Sequence, residues 1–274
     1  MPYIIHAPIV YIMTKTFNII YLGGPTIILE IAGLRIMTDP TLDPKGTSFR
    51  ISDSVTETKL AGPAITDFGD IDLVLLSHDQ HWDNLDKAGR QLLETVPVTI
   101  TTLAGASRLA VQARGLAPWE QATVTGKNGE ELVITATPAR HGPAGTEHIT
   151  GDVIGFLLSV NGQSGHPVYI TGDTVFFEGV AQTGQRFHPQ YVFVFAGAAR
   201  PRGPFNVTMN SNDALDTAAA FPEAKIIPLH FEGWSHYTEG KDVLTAAFDA
   251  VNIGDRLFFP EPGRLITLDI HNHQ

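Results

Sequence analysis

Residues 72–84 read Asp72-Leu73-Val74-Leu75-Leu76-Ser77-His78-Asp79-Gln80-His81-Trp82-Asp83-Asn84. The first half is a continuous apolar run without alternation, the pattern of a strand buried on both faces. The second half places two histidines and a carboxylate within six residues, directly after that strand. Loops that follow buried strands are where α/β folds put their chemistry. An ordinary reading competes with this one: a polar loop in which Asp83 or Asn84 caps a helix beginning at Leu85.

Upstream, the β-rich runs Phe17–Leu22 and Thr26–Ile31 flank the turn Gly23-Gly24-Pro25, and Leu34–Thr38 stops at Asp39-Pro40. These three runs predict an antiparallel meander. Residues 41–69, rich in Pro, Gly, Thr and Asp, read as a long surface loop. Downstream, the patterns predict a helix over Leu85–Thr95, a strand over Val98–Thr102, a helix over Ala104–Arg114 and a strand over Glu131–Thr137. Val153–Val160 and Val168–Thr171 then read as a hairpin around Asn161-Gly162. A short helix over Phe176–Thr183 and a buried strand over Tyr191–Phe195 follow. The rest predicts a helix over Ser211–Phe221 capped by Ser211 or Asn212, a strand over Lys225–Leu229, a helix over Lys241–Val251 and a last strand over Arg264–Asp269. Both halves pass from strand-rich to strand–helix alternation. The expected fold is therefore α/β (α+β), two similar halves packed sheet against sheet with helices outside, in one domain over residues 1–274.

Three further apolar runs each deliver one metal-capable group at their C-terminal end. Leu132–Pro138 leads to His141, Val168–Thr171 to Asp173 and Lys225–Leu229 to His230. Singly, each has an ordinary explanation as a loop histidine, a turn residue or a core histidine. If the strand ends share one edge, they form a set with His78, His81 and Asp83. Neutral imidazole and carboxylate suit zinc, manganese or iron(II). Six ligands exceed one structural zinc and suit two ions sharing a carboxylate, with an ionised water between them as the nucleophile.

What the chain lacks agrees. Its 274 residues contain no cysteine, which excludes disulfides, thiolate metal sites and cysteine nucleophiles. There is no Gly-x-Ser-x-Gly elbow and no P-loop. A formal charge of −11 argues against a nucleic-acid partner. No apolar run approaches the ~20 residues of a membrane helix. The apolar start MPYIIHAPIVYIM is broken by Pro2 and Pro8 and has no basic leader, so it reads as neither signal peptide nor anchor, and the expected location is the cytoplasm. A second reading makes residues 1–16 an N-terminal extension, with Met13 as an alternative start. Nothing in the sequence excludes a homo-oligomer.

At this point the sequence resembles the metallo-β-lactamase fold superfamily, and within it the metal-dependent hydrolases related to ascorbate-6-phosphate lactonase. LGGPTIILEIAGLRIMTDP (22–40), SHDQHWDN (77–84), TPARHG (137–142), TGDT (171–174) and PLHFEGW (228–234) occur in the family's order. The resemblance covers the chain from Phe17 and implies an αββα sandwich of two mixed sheets, with the site between the sheet edges. It implies a first metal position from His78, His81 and His141. A second would come from Asp83, Asp173 and His230, with Asp173 bridging and Asp83 orienting the nucleophile. Two departures stand out. The usual His-x-His-x-Asp-His has one extra residue here, which leaves Asp79 as an alternative to His78. Asn84 stands where the family has its fourth histidine.

On the substrate side, Arg200 and Arg202 lie on a Gly/Pro-rich loop after YVFVF and read as an anion clamp. Trp234, His236 and Tyr237 read as a pocket wall, with His236 as a proton donor to a leaving group. The expected function is a metal-dependent hydrolase using one or two Zn2+ or Mn2+ ions, with Fe2+ after them. A metal-bound hydroxide would cleave a small-molecule lactone, ester or phosphoester. The alternative is a non-catalytic metal-bound sensor or binding protein on the same fold, motivated by Asn84 and the altered first motif.

Overall fold

The computed structural model describes residues 15–53, 55–160, 167–201 and 203–270. Its first half contains strands β1 (Lys15–Gly23), β2 (Thr26–Ile31), β3 (Leu34–Thr38), β4 (Ser48–Arg50), β5 (Thr56–Thr58) and β6 (Leu73–Leu75), helix α1 (Lys87–Leu93), strand β7 (Val98–Thr102), helix α2 (Leu103–Arg108), and strands β8 (Ala113–Leu116) and β9 (Gln121–Thr125). The second half contains β10 (Glu131–Pro138), α3 (Glu147–Thr150), β11 (Ile154–Val160), β12 (Val168–Ile170), α4 (Glu178–Arg186), β13 (Tyr191–Phe195), α5 (Ser211–Ala220), β14 (Lys225–Leu229), α6 (Lys241–Ala250) and β15 (Leu265–Ile270).

Two mixed sheets face one another. The first has the order β15-β1-β2-β3-β6-β7-β8 and the second β14-β13-β12-β11-β10-β9. Strand alternation divides each sheet between two cores. Ile19, Tyr21, Leu73 and Leu75 point inward to meet Phe156, Phe193, Phe195, Ile227 and Leu229 of the opposite sheet. Their neighbours Ile20, Leu22, Val74 and Leu76 point outward with Leu85 and Leu93 of the α1 region. On the far side, Val192, Val194 and Ile226 pack under Val180, Ala214, Ala218, Leu244 and Phe248 of α4, α5 and α6. This is an αββα sandwich. No helix among the described residues is long and apolar enough to cross a membrane.

The pairing directions place the site. In the first sheet β3, β6, β7 and β8 run parallel. In the second, β12, β13 and β14 run parallel, while β10 and β12 are each antiparallel to β11 and so share a direction. The C-terminal ends of β10, β12, β13 and β14 therefore lie along one edge.

Four expectations need correction. The helix over Ala104–Arg114 ends at Arg108, and Ala113–Leu116 is instead the parallel edge strand β8. Strand β9 carried no recognised signal. Residues 41–69 hold the β4–β5 hairpin, not a plain loop. The α5 cap is Asn210, whose side chain accepts from Asp213 N–H in a reciprocal capping box, and the α1 cap is Asp86. Of the expected extension over residues 1–16, Lys15 and Thr16 instead belong to β1 and pair with Ile270 and Asp269 of β15, while residues 1–14 and the Asn161-Gly162 loop lie outside the described residues.

Candidate metal centre

Strand β6 ends at Leu75, and the chain turns within a few residues to aim His78 and His81 across the sheet edge. Asp39, at the end of the adjacent β3, anchors that turn: its Oδ1 accepts the Ser77 N–H at 2.9 Å and the Ser77 hydroxyl at 2.7 Å. The Ser77 oxygen, 3.0 Å from His78 Nδ1, then accepts the imidazole proton. That fixes the His78 tautomer and leaves Nε2 as the lone-pair nitrogen. His141 is fixed in the same way, since its Nδ1 lies 2.7 Å from the Val207 carbonyl and must donate to it.

His78 Nε2 and His141 Nε2 each lie 2.9 Å from His81 Nδ1. With both outer rings committed as donors elsewhere, the single proton that His81 Nδ1 can carry serves only one of these contacts. Three imidazole lone pairs around one point are the arrangement of a metal ligand set. Asp173 Oδ2 closes it, 3.6 Å from His141 Nε2 and 4.0 Å from His78 Nε2. Burial, reinforced by the neighbouring His81, pushes His141 down to about 3, so the ring is neutral and competent to bind a cation at physiological pH. Burial likewise holds His78 well below the ordinary histidine value.

A second group lies beside the first. His230, which follows β14, stacks on Phe195 with ring centroids 5.2 Å apart. Its Nε2 is 3.3 Å from Asp83 Oδ2 and 3.4 Å from Asp173 Oδ1. Burial opposes charge on His230, but the Asp173 and Asp83 carboxylates outweigh it and push the ring up to about 8. Burial raises Asp173 to about 6. For Asp83, burial is overcome by His236 and His230, which hold its carboxyl well below the usual range.

The donor chemistry fits a divalent ion. Asp39, Asp83 and Asp173 are at most 5% exposed, and among the described residues no lysine or arginine pairs with any of them. Buried carboxylates in that position need a positive partner. Imidazole with carboxylate is a donor set for zinc, manganese or iron(II).

Not every expected residue joins the cluster. Asp79 does not replace His78: it is drawn away by Arg108, whose Nε lies 2.9 Å from its Oδ2. Asn84 donates from Nδ2 to Asp173 Oδ1 at 3.1 Å, so it supports a ligand. Trp234 is not a pocket wall. It is 2% exposed, tilts against Phe49 with centroids 5.7 Å apart, and packs behind the site. Arg200 is exposed and its Nε donates to Asn206, on the rim and outside the cleft lining. Arg202 lies outside the described residues. His236 does reach the centre, with Nε2 2.8 Å from Asp83 Oδ2. His148 and His188 are exposed, as expected of surface residues.

Sequence reasoning missed the β4–β5 hairpin. Glu57 on β5 is 5% exposed and joins Asp83 and His236 as a third group of mutually close donors. The alternation Thr56-Glu57-Thr58-Lys59 turns both charged side chains inward, the reverse of what charge alone suggests. The hairpin is tightly held: Phe49 stacks on Trp82 with centroids 4.9 Å apart, and Lys59 Nζ lies 3.3 Å from Asp86 Oδ2. Arg50, Trp82, Ala199 and Val207 line a cleft of about 180 Å³ with His81, Asp83, His141 and Asp173 in its wall.

Comparison with known proteins decides the family. Residues 34–231 match the model of the beta-lactamase superfamily domain. The chain belongs to the beta-lactamase superfamily. Among its relatives, the UPF0173 protein YddR of Bacillus subtilis is 25% identical, covering 91% of this chain and 99% of its own length. A UPF0173 metal-dependent hydrolase of Methanosphaerula palustris is 28% identical, over 72% of this chain and 84% of its own. The same fold occurs in the isothiocyanate hydrolase from Delia radicum gut bacteria, with TM-score 0.78 and 24% identity over 92% of this chain and all of that one. It also occurs in a possible metal-dependent hydrolase from Veillonella parvula, with TM-score 0.73 and 21% identity over 93% of this chain and all of that one. Membership and donor set together make the chain a metal-dependent hydrolase of this superfamily.

Proposed function

We propose that the chain hydrolyses a small lactone or ester, with a phosphoester as the next candidate, using zinc or manganese. The reading is carried by one observation: His78, His81, His141, Asp83, Asp173 and His230 converge in two adjoining donor groups, and His81, Asp83, His141 and Asp173 of that set open into a cleft of about 180 Å³. A cleft that size suits a small substrate and not a polymer. His78, His81, His141 and Asp173 would hold one ion, and Asp83, Asp173 and His230 a second. When bound, such an ion supplies Lewis acidity and lowers the pKa of a coordinated water.

The protein's own groups do the rest. Asp83 stays ionised and accepts a hydrogen bond from an attacking water, which orients it. Tyr237, whose hydroxyl lies 3.4 Å from Asp83 Oδ2, steadies that carboxylate. Trp82 and Val207 exclude bulk water from one side of the cleft, which strengthens every charge inside it. Arg50 lines the mouth and is paired with the exposed Asp53, and a carboxylate or phosphate on the substrate would compete with Asp53 for its guanidinium.

The test is turnover by the metal-loaded protein on a panel of lactones, carboxylic esters and phosphoesters. Asp83→Ala is expected to abolish turnover with the fold intact by circular dichroism. Hydrolysis of none of the panel by a fully metallated protein would favour the binding-protein reading, for which the amide at Asn84 is the specific observation.

A further inference from the structure

We propose that Glu57 and His236 are ligands of the second metal position and take the place of the imidazole missing at position 84. The inference rests on the metal-dependent reading above and concerns only which residues complete it. The second group has three carboxylate or imidazole donors, Asp83, Asp173 and His230; Asn84 donates from Nδ2 to Asp173 and offers in addition only an amide oxygen, a neutral and weaker ligand than the imidazole it replaces. The next three donors, Glu57, Asp83 and His236, lie within 4.8 Å of one another and share Asp83 with the second group. Asp83 Oδ2 is the hinge between them, 3.3 Å from His230 Nε2 and 2.8 Å from His236 Nε2. An ion on Asp83 would therefore have His236 and Glu57 within reach.

Burial points the same way. Glu57 is 5% exposed although it sits on a two-stranded hairpin at the rim. The His236 side chain is 8% exposed, and its Nδ1 is buried with no hydrogen-bond partner among the described residues. His230 Nδ1 is likewise without a hydrogen-bond partner there, while its Nε2 faces the Asp83 and Asp173 carboxylates. A cation held between these imidazoles and the carboxylates would balance the buried negative charge of Glu57, Asp83 and Asp173. The hairpin that brings Glu57 is fixed by the Lys59–Asp86 ion pair and the Phe49–Trp82 stack, so the carboxylate is delivered by a rigid wall. This assignment makes His236 a ligand in place of the leaving-group proton donor expected from sequence.

The test titrates metal-free protein with Co2+ against a chromophoric chelator and counts bound ions after desalting. The parent protein is expected to hold two. Glu57→Gln and His236→Gln are each expected to keep the ion of the His78–His81–His141 group, to weaken the other by at least about ten-fold, and to change the absorption of the second cobalt only. Asn84→His placed in the Glu57→Gln background is expected to restore the second ion. If either substitution unfolds the chain, proton NMR of the parent cobalt protein decides: five coordinated imidazoles support the assignment and four overturn it. The assignment is also overturned if both variants fold and retain parental stoichiometry, affinities and spectra, or if the parent holds one ion that neither substitution affects. Protein that binds no transition ion at all would bring down the metal-dependent reading itself, a result distinct from these.

Discussion

The Ser77 hydroxyl lies 2.7 Å from Asp39 Oδ1 and 3.0 Å from His78 Nδ1, so one small side chain links a buried carboxylate to a ring of the first donor group. Ser77→Ala removes that link and leaves His78 free to rotate or change tautomer. The expected result is a loss of metal affinity of roughly ten- to a hundred-fold with little change in fold. Chelator competition measures it, and an unchanged affinity would mean that packing alone orients His78. Lys59 and Asp86 offer a second residue-scale prediction, away from the donor groups. Burial lowers Lys59 and raises Asp86. For Asp86, raised above 3.8, the favourable contribution is complete below that value and lost as pH rises through the higher folded value. For Lys59, depressed below 10.5, the contribution is complete above 10.5 and lost as pH falls through the folded value. The pair is therefore least favourable near neutrality, where both members are charged. A Lys59→Met/Asp86→Asn double variant, which keeps the cap on Gly89, should gain most on the parent protein near pH 7 and least toward pH 4 and pH 10. Urea unfolding across that range checks this, and a pH-independent difference contradicts it. Lys59→Ala alone strands Asp86 and should cost about 3–5 kcal/mol.

Elements that sit wholly inside a core were legible in the sequence, and those that serve the site from the rim were not. Val98–Thr102, Tyr191–Phe195 and Lys225–Leu229 match β7, β13 and β14 residue for residue, because strands buried on both faces are apolar or β-branched at nearly every position. The six residues of the two donor groups were legible for a related reason: each follows such a run. Edge strand β8 was not, since Ala113-Arg114-Gly115-Leu116 packs largely at the periphery and reads as the tail of a helix. Glu57 was invisible because three-residue strands carry too little pattern and a buried acid defies the usual rule. Trp234 was misplaced because a tryptophan near a ligand reads equally as wall or support. The turn after β12 gives the prediction at this scale. Gly172 has φ +64°, and a Cβ there would lie 2.6 Å from the Ile154 carbonyl and 3.0 Å from Ser77 Cβ. Gly172→Ala should therefore cost about 2 kcal/mol or more and shift the neighbouring Asp173. The expected readout is a lower urea midpoint together with weaker metal binding; parental stability would show that the turn relaxes at no cost.

Over the whole molecule, the two sheets converge on one edge that concentrates buried acid. Asp39, Glu57, Asp83 and Asp173 are each 5% exposed or less, in a chain whose formal charge is already −11. Cations bound there would therefore act as a clasp between the halves: β6 brings the first histidines, and β10, β12 and β14 bring His141, Asp173 and His230 from the opposite sheet. Ligand binding to the native state alone stabilises it by about 4 kcal/mol at a thousand-fold excess over Kd. For a chain of this size that corresponds to a rise in Tm of about ten degrees. Chelator-stripped protein should melt lower by that amount and recover with Zn2+ or Mn2+. Mg2+ and Ca2+, which prefer oxygen donors, should restore much less. Sodium chloride at equal ionic strength screens surface repulsion without entering the donor groups, so it should not substitute. His81→Ala removes the nitrogen shared by both 2.9 Å contacts and should abolish most of the recovery. A Tm that ignored chelation, or that salt alone restored, would mean the halves are held by their apolar interface and that the converging donors contribute nothing to joining them.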